Sequence, residues 1–164
     1  MGLCRGKCKD NGEWVEGYYC CELYSNTHYI MVWCYGSYAE LQSFEVVPET
    51  VGRYTSKTDK NGKKIFEGDI VQYLTDDDFD CQSVVRFGEY IQDGSGGEYR
   101  GTKCMGLYIE VDNFTCPDWC DNEPEYFRDY MRQQNILEVA SKCEIIGNIY
   151  DNPELLDNTK EVKT

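Results

Sequence analysis

The 164 residues predict a mainly β fold: a small β-barrel-like core of hairpins, with one short helix and peripheral α+β elements. Three observations point there. Asn-Gly occurs twice, at Asn11-Gly12 and Asn61-Gly62, and each leads through an aromatic or aliphatic run into a Glu-Gly pair. Asn-Gly is the favoured two-residue hairpin turn, since both central positions need φ > 0, which Gly takes freely and Asn tolerates. Short runs rich in Val, Ile, Tyr, Phe and Trp recur along the chain, bounded by Gly, Asn, Asp or Pro. Only residues 123–134 repeat apolar side chains at a convincing helical spacing.

Taken in order, residues 3–8 form a first strand, ended by a turn at Asp10, Asn11 and Gly12. Residues 14–23 form an aromatic-rich second strand, with Gly17 as a bulge candidate. Ser25, Asn26 and Thr27 turn the chain into a third strand over 28–35. Residues 38–47 read as a fourth, with a polar break near Gln42 and Ser43 and a stop at Pro48. A short strand over 51–55 opens on Gly52 and leads to the Asn61-Gly62 hairpin, where both residues are expected at φ > 0. In residues 64–73, Glu67-Gly68-Asp69 breaks the run, and a bulge there re-aims Ile70 and Val71 into a second sheet layer.

Residues 82–87 and 99–111 are further strands, separated by a Gly-rich loop over 92–98. That loop lacks the G-x4-G-K-[ST] pattern of a phosphate loop. Residues 115–121 are a turn-rich connector. The helix is expected over 123–134: Pro124 suits its first turn, and Glu125 and Asp129 favour its N-terminal half. Tyr126, Phe127, Tyr130 and Met131 then form a stripe that packs on the barrel. Residues 143–150 close the fold. The expected organisation is a single domain over 1–156 and a polar C-terminal tail over 157–164.

Three blocks, one central and one near each end, carry a resemblance. Residues 49–55 read E-T-V-G-R-Y-T, residues 59–63 D-K-N-G-K, and residues 65–71 I-F-E-G-D-I-V. Near the start, Arg5, Gly6 and Lys7 are followed by D-N-G-E-W-V-E-G-Y at 10–18. Near the end, residues 144–156 read E-I-I-G-N-I-Y-D-N-P-E-L-L. In this order, these blocks resemble the YopX family of phage and prophage proteins. The resemblance implies a mostly β fold built around a barrel and an origin in a phage or prophage genome. It brings no biochemical activity with it. The chain departs from the family pattern at Ser56, where Gly is more usual, over roughly residues 93–135, and at most of its cysteines.

A net charge of −14 disfavours direct nucleic-acid binding, which relies on Lys and Arg neutralising phosphates. It suits a basic protein partner or mimicry of nucleic-acid charge. No apolar run approaches the roughly 20 residues that span a bilayer, and the first residues lack an apolar signal core, so a cytoplasmic protein is expected. The ten cysteines are then expected as reduced thiols, many of them small buried hydrophobes. Cys4-x3-Cys8 and Cys116-x3-Cys120 have plausible ligand spacing, but no C-x2-C pair occurs, and no metal or other cofactor is expected. Asp76, Asp78 and Asp80 imitate the start of a calcium loop. Cys81 and Phe87 stand where that loop needs Gly and Glu, so a solvated acidic loop is the reading.

His28 is the sole histidine, it lies in a strand, and no cysteine carries a nucleophile signature, so no catalytic residue is assigned. The candidate ligand site is the locally basic stretch of Arg53, Tyr54, Lys57, Lys60, Lys63 and Lys64, which could steer an anion. Trp14 and Trp33 are expected in the core, and Tyr18, Tyr19, Tyr35, Tyr38 and Tyr54 as the source of a surface cluster. The leading functional expectation is a non-enzymatic phage or prophage accessory protein that binds a host or phage protein, with a homo-oligomer allowed. The alternatives are a protein that binds or sequesters a nucleotide-like anion and, least supported, an uncharacterised enzyme.

Overall fold

The computed structural model describes residues 2–35, 39–75, 80–92, 102–115 and 133–156. Eleven strands dominate the described residues: β1 Leu3–Lys7, β2 Trp14–Glu22, β3 Thr27–Tyr35, β4 Ala39–Glu45, β5 Gly52–Thr58, β6 Lys64–Phe66, β7 Asp69–Leu74, β8 Asp80–Gln92, β9 Thr102–Thr115, β10 Gln133–Asn135 and β11 Glu144–Asn148. A single helical turn, α1 at Ile136–Val139, and two 3-10 turns complete them. The fold is mainly β, and its first sheet is a half-barrel. No helix among the described residues is long and apolar enough to cross a membrane. The chain divides into two compact units, residues 1–54 and 55–164.

In the first unit the strand order is β4-β3-β2-β1-β5, all antiparallel where the register is defined. Alternation sets its two faces. Ile30 and Gly17 turn inward, and Ile30 is fully buried, as is Val46 just beyond β4. Gly17 does not form the expected bulge, because β1 and β2 stay in register from Leu3↔Tyr18 to Lys7↔Trp14. Its role is close approach: a Cβ there would collide with the Met31 carbonyl of the neighbouring strand. The expected polar break at Gln42 and Ser43 is also absent, since β4 pairs without a shift from Tyr29↔Glu45 to Tyr35↔Ala39.

In the second unit, β6 and β7 are parted by a turn at Glu67-Gly68, where the sequence reads a break. The buried Asp69 carboxylate caps this turn by accepting from the Phe66 amide at 2.7 Å. The chain leaves the first sheet there, and Ile70 and Val71, both fully buried, enter the second, ordered β10-β9-β8-β7-β11. The core of this unit gathers Ile65, Val71, Tyr73, Cys81, Val85, Ile109, Ile136, Val139, Ala140 and Cys143. Gln133 and Gln134, expected at the end of a helix, lie instead in β10 and pair with Glu110 and Ile109 of β9. Gln92, expected to open the Gly-rich loop, ends β8 opposite Thr102, and the rest of that loop, the rest of the predicted helix and residues 157–164 lie outside the described residues.

The turn chemistry differs from the expectation in one respect. Gly62 has φ +81° and Gly12 φ +72°, but Asn61 and Asn11 do not have positive φ. The Gly62 amide donates to the Asp59 carbonyl at 2.9 Å, and the Asp59 amide to the Lys63 carbonyl at 2.8 Å. This is a three-residue connection, a type I turn followed by a left-handed Gly, rather than the two-residue mirror-image turn. Ser56, where the family pattern favours Gly, sits at φ +64° within β5. Gly62→Val is expected to cost about 1–2 kcal/mol through crowding in the left-handed region. Ser56→Gly is expected to stabilise by up to about 1 kcal/mol by relieving the same crowding. Denaturant midpoints check both, and a Ser56→Gly protein that unfolds no later than the parent would show Ser56 to be unstrained.

Candidate functional site

The predicted basic stretch is divided between the units. Arg53 is exposed and Tyr54 half-buried on the part of β5 in the first unit, with Arg53 opposite Cys4 of β1. Lys57, Lys60, Lys63 and Lys64 are exposed in the second unit. What organises their hairpin is Asp59, which is 5% exposed. One carboxylate oxygen accepts from the amides of Asn61 and Lys63, each at 2.9 Å. The other accepts from the amide of Ile145 in β11 at 3.2 Å. Burial raises the Asp59 pKa, but the amides of Lys63, Ile145 and Asn61 and the Lys63 charge outweigh it and hold it below the usual carboxylate value.

The hairpin is thereby tied to the closing strand. The Lys60 amide donates to the Cys143 carbonyl at 2.9 Å, and Lys60 Nζ pairs with Glu144 at 2.6 Å. Lys60 is the member of the predicted set that enters a recess: an open depression of about 390 Å³ lined by Lys60, Gln72, Tyr73, Leu74, Asp80, Lys142 and Glu144. Gln72 lies between Glu144 and Gln82 in the sheet register, and its Nε2 donates to both Asp80 oxygens at 2.9 and 2.8 Å. The lining thus carries two ammonium groups, two carboxylates and an amide. Opposite charges already face each other there, so an incoming anion has to compete with Glu144 for Lys60. Sequence reasoning placed Asp80 in a solvated acidic loop, whereas it opens β8 against Gln72, and it missed Gln72, Lys142 and Glu144. The available signal was Gln72 itself, a polar residue within the apolar run I-V-Q-Y-L.

His28, Tyr19 and three of the eight described cysteines are placed for packing, while Cys20 is exposed. The Tyr19 hydroxyl lies 2.5 Å from His28 Nδ1 and their rings stack, so Tyr19 faces inward rather than joining a surface cluster. Burial pushes the Tyr19 phenol above its ordinary value. Cys81 and Cys143 are fully buried, and burial pushes both thiols up to about 11. Cys8 is raised by burial and by Asp10 and Glu13. The eight described cysteines are free thiols. Cys4 lies in β1 and Cys8 just past its end, and four residues of extended chain separate Cα atoms by roughly 13 Å, too far for one metal. Cys116 and Cys120 lie outside the described residues, as do Asp76 and Asp78.

A second surface lies on the outer face of the first unit. Register places Tyr18 beside Met31 and Trp33 beside Leu41 on that face. Tyr18 is 46% exposed, Trp33 52% and Leu41 41%. Trp33 is therefore not the core residue expected from sequence. Trp14, half-buried, carries the Arg5 guanidinium over its ring at 4.7 Å. Tyr38 and the side chain of Tyr35 lie outside the described residues.

The YopX protein family model matches residues 4–157. The chain belongs to the YopX protein family. All three sequence blocks fall within the matched span, as do the Asp59 clasp, the recess and the exposed aromatic face. A search of the curated proteins returns no match.

Because the folded Asp59 pKa is lowered, its stabilisation is present above the unfolded carboxylate value near 4 and is lost as pH falls through the folded value. Asp59→Asn turns an amide group toward one of the three donors, so a loss of about 2 kcal/mol is expected at neutral pH, shrinking toward pH 3. Urea unfolding of both proteins across that range checks this. An equal deficit at both ends would remove the charge from the argument.

Proposed function

We propose that this protein is a non-enzymatic accessory protein of phage or prophage origin that acts in the host cytoplasm by binding another protein. The observation that carries the reading is the outer face of β2, β3 and β4, where Tyr18, Trp33 and Leu41 stand more than two-fifths exposed. A large aromatic costs free energy when left in water, and Trp and Tyr dominate binding energy where protein surfaces meet. Residues 1–54 add seven acidic side chains against four Lys and Arg, so the partner that fits has a basic rim around an apolar centre. Family membership supports the phage setting, and the acidic balance argues against nucleic acid as the partner. Pull-down from host lysate with the full chain is expected to enrich a protein that Trp33→Ala releases. Identical capture by Trp33→Ala, at unchanged melting temperature, would exclude this face.

A second reading, capture of a nucleotide-like anion, draws support from Lys60 and Lys142 at one recess. An anion there has to displace Glu144 from Lys60. A nucleotide panel is then expected to raise the melting temperature of the parent but not of Lys60→Glu. No shift with any nucleotide would remove this reading.

A further inference from the structure

We propose that β4 accepts an added strand, and that its occupant is an extended segment of a partner protein bearing apolar side chains on one face and Lys or Arg on the other. This rests on the protein-binding reading and gives it a geometry. Among the described residues β4 ends its sheet, with β3 as its neighbour, and it is held again only at its C-terminal end, where the Glu45 carbonyl accepts from the Lys9 amide at 3.0 Å and Val46 bridges Cys8. Six of its seven residues are exposed, so both its faces stand open. Folded proteins usually protect such an edge with Pro, Lys, a bulge or a very short strand. The sequence A-E-L-Q-S-F-E has neither Pro nor Lys, and its register with β3 is unbroken.

The side chains define what fits. Leu41 and Trp33 are cross-strand partners, both remain about half exposed, and no described residue on the far side of Leu41 completes the row. An added strand would place its own residue beside Leu41, at the spacing where apolar pairs stabilise a sheet. Glu40 points to the opposite face and is exposed, whereas Glu45 is already bridged to Lys9 at 2.6 Å. A cation opposite Glu40 and an apolar residue opposite Leu41 are one position apart, which is the alternation of a strand. A second copy of this chain fits poorly. Two chains of net charge −14 would meet through edges that each present Glu40, with Lys9 already taken by Glu45. Strand addition also supplies main-chain hydrogen bonds, so affinity comes from the backbone and selectivity from alternate side chains.

The test uses the full chain and a short alternating Lys-Val peptide, with a control of equal charge interrupted by Pro. The alternating peptide is expected to bind and to slow amide exchange at residues 39–45, while the Pro-interrupted control does neither. Leu41→Lys and Glu40→Lys, both at exposed positions, are each expected to weaken binding roughly tenfold without lowering the melting temperature. Equal binding of the two peptides would reduce the effect to charge attraction and overturn the proposal. So would exchange protection confined to other strands, or a concentration-dependent dimer that Leu41→Lys abolishes. A lysate partner kept by Leu41→Lys but lost from Tyr18→Ala overturns strand addition and leaves the protein-binding reading standing.

Discussion

The Asp59 carboxylate is the constraint on which the second unit depends. A charged group this buried is costly unless its lone pairs are taken, and here three backbone amides take them. Two of those amides belong to its own turn and one to β11, far along the chain. The same group that shapes the hairpin therefore decides where the closing strand docks. With β11 fixed, Glu144 lies opposite Gln72 and next to Lys60, and the recess acquires its charges. The exposed Lys60–Glu144 pair contributes little stability by itself. It reports the docking that Asp59 enforces.

Legibility in the sequence followed the range of the interaction. Turn residues and β-forming runs are local signals, and they located the strand regions and the change of sheet at Glu67-Gly68. The finer turn geometry was misread, because Asn-Gly permits two turns, and the choice lies with the Asp59 side chain three residues before the Gly. At Gly17 the sequence allows either a bulge or a close approach, since a strand glycine signals both. Only the neighbouring Met31 carbonyl distinguishes them. The recess was hidden because its residues come from the hairpin, β7, β8, the turn after α1 and β11. Of the predicted ligand residues, Lys60 alone reaches it, and Arg53 and Tyr54 belong to the other unit.

Trp33 shows where a composition argument gives out. Tryptophan belongs by default in a core, and fourteen tyrosines with three tryptophans suggest a chain using aromatics to fill one. Yet the inner positions of β3 are taken by Ile30 and its alternate neighbours. The period of two then sends Tyr29, Met31 and Trp33 to the other face. Once Ile30 is committed inward, strand geometry leaves Trp33 no route to the core. Its exposure follows from register rather than from its own preference.

The cysteines and the histidine complete this contrast between packing and surface. Cys8, Cys81 and Cys143 fill core positions as small apolar groups. Burial raises their thiol pKa values, which suppresses the thiolate that nucleophilic or metal chemistry needs. His28 spends Nδ1 on Tyr19 and stacks against its ring, so the imidazole is engaged within the sheet. Cys8, Cys81, Cys143 and His28 are thus held by the fold, whereas Cys20 is exposed. The groups left facing solvent, Tyr18, Trp33 and Leu41 beside the open edge of β4, are of the kind that gain free energy by being covered. That distribution is the support for the proposed contact surface.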